Sequence, residues 1–135
     1  MRTIALEEHY ATPAFMEGPG LALKAQAEAA RDHPRVAAGY GKLIEQLCDL
    51  GGGRITAMDA AGIDVQVLSL TSPGVEQLDA AEAATLAREA NDSLAEAVGR
   101  HLGRLAGFAA LPTPARRPPQ TSSSARCAST ASRAR

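Results

Sequence analysis

An α/β fold built on a parallel sheet is what this 135-residue sequence predicts. Three observations predict it. Short apolar runs occur at residues 3–7, 63–70 and 105–111, and helical patterns separate them. The middle run, "IDVQVLSL", is largely apolar on both faces, which suits a strand buried in a parallel sheet better than a half-exposed antiparallel one. Strands alternating with helices imply βαβ units joined by right-handed crossovers.

The elements follow in order. The run at 3–7 is a strand closed by Thr12-Pro13. Residues 14–38 are rich in alanine, with Gly18-Pro19-Gly20 and Pro34 as breakers, and read as a loop holding a helical piece around 21–31. Over 40–50, Leu43, Leu47 and Leu50 recur at helical spacing with Ile44 alongside, and Gly51-Gly52-Gly53 ends that helix. A second helix, 54–61, carries Ile55 and Met58 on one face and stops at Gly62. The strand at 63–70 ends in "TSPG". Asp79 with Glu82 three residues on predicts a capping box, and the helix behind it runs to about His101 with Leu86, Ala90, Leu94 and Val98 at successive i+4 steps. "LAGFAAL" is the third strand, ending at Pro112.

Length allows one modest domain, 1–112. There is no Trp, and alanine supplies much of the apolar fraction. Cys48 and Cys127 stand in unlike contexts, which is neither a disulfide framework nor zinc-ligand spacing; Cys48 is expected to pack as a small hydrophobe. No apolar run approaches membrane-spanning length and none follows the initial Met as a leader, so the expectation is a soluble, cytoplasmic protein with no membrane partner.

Charge is divided unevenly. All 15 acids and nine of the 14 Lys/Arg lie in 1–112, a net of −6, whereas 113–135 holds five arginines and no acid, a net of +5. A basic tail is ordinarily a sign of a nucleic-acid or acidic partner. This one, "TPARRPPQTSSSARCASTASRAR", has the composition of a disordered segment, and equally that of a GC-rich gene read out of frame. Codons can be chosen for Gln120 to Cys127 so that a shifted frame encodes Asp-Glu-Leu-Glu-Arg-Ala-Val, a helix-like stretch of the kind that should follow a third βαβ strand. The expectation is a frameshifted tail, with nucleic-acid binding not expected.

The chemistry-bearing stretch is "LEEHY" at the end of the first strand. Residues i and i+2 of a strand face the same way, so Glu7 and His9 are expected to point together and Glu8 to the other side. A carboxylate beside an imidazole can supply two ligands to a divalent cation such as Zn²⁺ or Mn²⁺. The same residues also suit a solvated strand end, and the spacing by itself leaves both open. His33 lies in the breaker-rich segment, and His101 in a last helical turn, where a cation suits the dipole; neither is expected as a ligand.

Four segments in register carry a resemblance: "ALEEHYATP", "MDAAGIDVQVLSLTSPGVE", "AREANDSLAE" and "AGFAALP". Together they resemble the amidohydrolase superfamily, in particular its metal-dependent non-oxidative decarboxylases, with the branch acting on dihydroxybenzoates such as γ-resorcylate the nearest in look. The likeness covers about 3–112 and is weakest over 14–38. It implies a (β/α)8 TIM barrel, of which this chain would supply about three of the eight strands as an N-terminal fragment, since complete barrels take about 250 residues.

The resemblance further implies that Glu7 and His9 are the first-strand pair for a divalent metal (Zn or Mn). It places Thr71 and Ser72 in a βα loop that lines the substrate pocket, where plain turn chemistry is the alternative. Asn91 is expected to be structural. A small aromatic acid is the implied substrate, decarboxylated with the help of a metal and a carboxylic acid that protonates the ring carbon. A later-strand His and a last-strand Asp, which the resemblance requires, have no counterpart here, so the fragment is expected to be inactive alone. Full-length relatives are expected to be homo-oligomers. Two alternatives stand beside this: a hydrolase of a cyclic ester or amide on the same fold, and a non-catalytic binding protein using the basic tail.

Overall fold

The computed structural model describes residues 1–113. Its order is β1 (Ile4–Tyr10), α1 (Pro13–Glu17), α2 (Leu21–Ala29), α3 (Pro34–Cys48), α4 (Gly52–Ala61), β2 (Val65–Leu70), α5 (Ala80–Arg100) and β3 (Leu105–Gly107). The strands form one parallel sheet in the order β1-β2-β3. The tail expected to be disordered or frameshifted lies outside the described residues but for Thr113.

Several boundaries differ from expectation, each for a local reason. Strand β1 runs through Tyr10 rather than stopping at residue 7, because Glu8, His9 and Tyr10 find partners in Leu68, Ser69 and Leu70 of β2. Thr12-Pro13 closes the strand but also opens α1: Thr12 Oγ1 accepts from the Phe15 amide at 3.2 Å, and Pro13 occupies the first turn. Pro34 likewise starts α3 instead of breaking a loop, since the amide a proline lacks would have no helical partner there. Helix α4 begins two residues early, inside the glycine run, where the Gly51 amide donates to Asp49 Oδ1 at 2.7 Å.

The helix α5 start is as expected in one half only. Asp79 Oδ1 accepts from the amides of Ala81 and Glu82 at 2.9 and 3.0 Å, while no return bond from Glu82 is made. Strand β3 stops at Gly107, four residues short. Phe108 still donates to the Leu68 carbonyl at 2.8 Å, but Ala110 is captured by a side chain instead of a strand. Asn91 Nδ2 donates to the Ala110 carbonyl at 3.0 Å and Asn91 Oδ1 accepts from its amide at 2.7 Å. Asn91 is therefore the structural residue the sequence led us to expect.

One face of the sheet is covered. Tyr10, Leu68 and Leu105 pack on Met58 of α4 and on Ala90, Leu94 and Ala97 of α5. A second cluster joins Ala11, Phe15 and Met16 to Leu47, with half-buried Cys48 against it. Burial raises the Cys48 thiol pKa, and Lys24 partly offsets this. The opposite face is open: Ile4, Leu6 and Phe108 are each more than half exposed. Consecutive parallel strands with helices over a single face are the arrangement of a partial α/β barrel, whose open face here points toward the barrel axis. No helix among the described residues is long and apolar enough to cross a membrane.

Candidate metal centre

Because the strands are parallel, Tyr10, Leu70 and Gly107 end at a common edge, the edge at which α/β barrels build their sites. Glu7, Glu8 and His9 reach it along β1. They do so through an irregularity. Ala5 pairs with Gln66 and Glu8 with Leu68, so three steps on β1 span two on β2. Glu7 has φ of 62°, the left-handed region that costs a side-chain-bearing residue roughly 1–2 kcal/mol. A bulge with a strained residue next to polar side chains is a common device for re-aiming a strand end.

The bulge changes the geometry expected from regular alternation. Paired residues on neighbouring strands share a face, so Ala5, Glu8 and Tyr10 lie with Gln66, Leu68 and Leu70, whereas Ile4 and His9 lie with Val65 and Ser69. Glu8 and His9 do face apart, as expected. Glu7 sits at the extra position, where the two-residue period does not apply. All three acidic and imidazole groups line one cleft of about 730 Å³, together with Gln46, Asp49 and Arg54 among others.

Two residues hold the strand end and were not anticipated. Ser69 Oγ lies 3.1 Å from His9 Nδ1. Arg54 donates from Nη2 to the main-chain oxygens of His9 and Gln46 at 3.0 and 2.8 Å, from Nε to that of Asp49 at 2.7 Å, and from Nη1 to Gln66 Oε1 at 3.1 Å. Burial lowers the Arg54 pKa, and nearby Glu8 and Asp49 oppose that shift. A lone hydroxyl in the otherwise apolar "VLSL" was a signal for Ser69; nothing in the helical pattern around Arg54 marked it.

Thr71 and Ser72 stand at the same edge but apart from this cleft. Thr71 is buried, its amide donating to the Tyr10 carbonyl at 2.9 Å and its carbonyl accepting from Gly74 at 3.0 Å. Ser72 is exposed and precedes a cis peptide to Pro73. The adjoining hollow, about 310 Å³, is lined by Ser69, Glu76, Phe108, Ala110 and Leu111 but by neither Thr71 nor Ser72. His33 and His101 cap helices at a distance from the cleft lining.

No family model matches the chain. A gamma-resorcylate decarboxylase from Polaromonas sp. is 39% identical to it over 111 residues, which are 81% of this chain and 30% of that protein. The crystal structure of a 5-carboxyvanillate decarboxylase from Novosphingobium aromaticivorans, with bound manganese and 3-methoxy-4-hydroxy-5-nitrobenzoic acid, superposes with a TM-score of 0.68 at 36% identity, over 80% of this chain and 33% of that one. A structure described as a putative amidohydrolase from Staphylococcus aureus superposes with a TM-score of 0.55 at 25% identity, over 83% of this chain and 29% of that one. The chain is a homologue of the amidohydrolase-superfamily decarboxylases. This decarboxylase homologue spans about 30% of the length of the curated relatives it matches.

The donor chemistry of Glu7 and His9 fits a borderline divalent cation, one hard oxygen and one imidazole nitrogen. The number of donors does not complete a site: among the described residues no group of three His, Cys, Asp or Glu could hold a metal ion. In the decarboxylase homologue β1 therefore offers at most a pair of ligands.

Proposed function

We propose that this chain contributes the first-strand ligands, Glu7 and His9, to a divalent-metal centre used in non-oxidative decarboxylation of a hydroxylated aromatic carboxylic acid. The observation that carries this is the bulged end of β1. It brings Glu7 and His9 to the C-terminal edge of a parallel sheet, in a chain 36% identical to a decarboxylase that binds manganese. Manganese is accordingly the first metal to test, ahead of zinc. When bound, such a metal polarises a substrate oxygen and orients the acid.

The residues on this chain would otherwise bind and orient. Phe108, Ala110 and Leu111 give the 310 Å³ hollow an apolar wall against which an aromatic ring could pack, with Ser69 and Glu76 as polar groups in its lining. Thr71 and Ser72, which line neither hollow, would contact the acid only through movement of their loop. No residue here is assigned as the proton donor, and chain 1–135 by itself is proposed to be inactive.

Mn²⁺ titration of the purified chain, followed by the loss of free-ion EPR signal, tests the ligand assignment. Binding that Glu7→Gln and His9→Ala each abolish supports it; unchanged binding in both variants rejects it. Incubation with 2,6-dihydroxybenzoate tests the activity statement. No CO₂ release is expected from the chain alone, and a metal-dependent rate would show that the chain needs nothing further.

A further inference from the structure

The hollow of about 310 Å³ beyond the end of β2 is lopsided in what it offers a ligand. Phe108 and Leu111, 63% and 65% exposed, give it an apolar side. Ala110 between them is held by both ends of the Asn91 amide, at 3.0 and 2.7 Å. The polar side chains of the lining are Ser69, Thr113 and Glu76, and among the described residues Glu76 alone carries a charge there. No lysine or arginine stands in that lining to offset it.

Glu76 owes its place to its neighbours in the loop between β2 and α5. Val75 is 1% exposed and anchors the loop on Ala83 and Ala87 of α5. Gly74 has φ of 67°, a conformation that glycine adopts without steric cost. A Cβ on Gly74 would overlap Glu76 Oε2 and lie 3.1 Å from Cδ and Oε1, so the bare glycine also makes room for the carboxylate. The ion pairs among the described residues, Arg31–Glu28 and Arg104–Asp59, do not involve Glu76, which is exposed.

At neutral pH a glutamate side chain has acceptor lone pairs and no proton, so it accepts from a hydroxyl and repels another carboxylate. Its hydrogen bond to a hydroxyl is about twice as strong as one between neutral groups. A site that both attracts one group and repels another separates close analogues well. An aromatic ring bearing a hydroxyl and a carboxylate therefore enters this hollow in one sense, hydroxyl toward Glu76 and carboxylate away.

We infer that Glu76 is a specificity residue, its carboxylate accepting a hydrogen bond from a ring hydroxyl and excluding the acid's own carboxylate from that end of the hollow. The inference rests on the reading above that the hollow takes a hydroxylated aromatic ring. It involves no metal.

Amide shift titrations of the metal-free 135-residue chain at neutral pH test it. The probes are phenol, anisole and benzoate, one ring carrying in turn a hydroxyl donor, a methylated oxygen and an anion. Shifts centred on Gly74, Ala110 and Leu111 report the hollow. The parent should bind phenol most tightly and benzoate least. Glu76→Gln should weaken phenol about 3–10-fold and strengthen benzoate, with amide positions away from the hollow unchanged. Glu76→Asp, which keeps the charge, should keep the parent's order. A phenol-to-benzoate ratio that Glu76→Gln leaves unaltered overturns the inference while the hollow remains a ring site. An Asp variant that behaves like Gln overturns it too, since length rather than charge would then decide. If no probe shifts the hollow's amides in the parent, the reading of the hollow as a ring site falls first, and the role of Glu76 with it.

Discussion

Arg54 Nη2 donates to the main-chain oxygen of His9 at 3.0 Å, across 45 residues of sequence. The same guanidinium reaches Gln46, Asp49 and Gln66, so the start of α4 is bolted to the ends of α3 and β1 and to the outer face of β2. The end of β1 that bears the candidate ligands is therefore held from the helix layer as well as from its strand neighbour.

Arg54→Met should destabilise the chain by about 2–4 kcal/mol, because several partly buried acceptors lose a charged donor at once. Arg54→Lys should recover only a small part, since an ammonium cannot reach acceptors spread over a planar fork. Urea unfolding midpoints check both, and a Lys variant equal to the parent would mean that a single contact matters.

Tyr10 makes stability pH-dependent on the alkaline side. It is fully buried, its hydroxyl donates to the Ala90 carbonyl at 3.0 Å, and desolvation pushes its pKa from 10.0 up to about 12. With the folded pKa raised, the unfolded chain releases the phenolic proton first. The stabilisation is then complete below pH 10 and is lost as pH climbs toward 12. Tyr10→Phe should show a flatter fall over that window. Equal slopes for parent and variant would reject the assignment.

Leu94 of α5 packs directly over Gly107 of β3. A Cβ there would overlap Leu94 Cδ2 and sit 3.0 Å from Leu94 Cγ and 3.1 Å from the Leu68 carbonyl. Gly107→Ala should cost about 1–3 kcal/mol through overpacking. In a Leu94→Ala background most of that penalty should vanish, a coupling within the roughly 0.5–3 kcal/mol known for residues in contact. A penalty that persists undiminished would point to the Leu68 carbonyl as the obstacle.

Asn91 holds the segment after β3 through both ends of its amide. Asn91→Ala should destabilise by about 1–3 kcal/mol, by leaving the Ala110 groups unpaired. Asn91→Asp keeps the acceptor and loses the donor, so it should fall between. Hydrogen exchange at the Ala110 amide reads this locally: fast in the Ala variant, still slowed in the Asp variant.

The sequence by itself determined the element order and the parallel sheet. Strands apolar on both faces leave few other arrangements, and Asp79, Gly62 and the i+4 row from Leu86 to Val98 mark helix ends and faces by short-range rules. The structural role expected of Asn91 came from the resemblance and is met by its bonds to Ala110, whereas Glu7 and His9 were marked only as candidates, since their spacing suits a solvated strand end equally well. Only the tertiary structure decided how those groups are presented. Which residues of β1 face Ser69 depends on register with β2, and the bulge at Glu7 shifts that register by one without leaving a mark in the alternation of residues. Arg54 gained its role because folding brings four acceptors from distant segments around one guanidinium, a convergence that no spacing along the chain encodes.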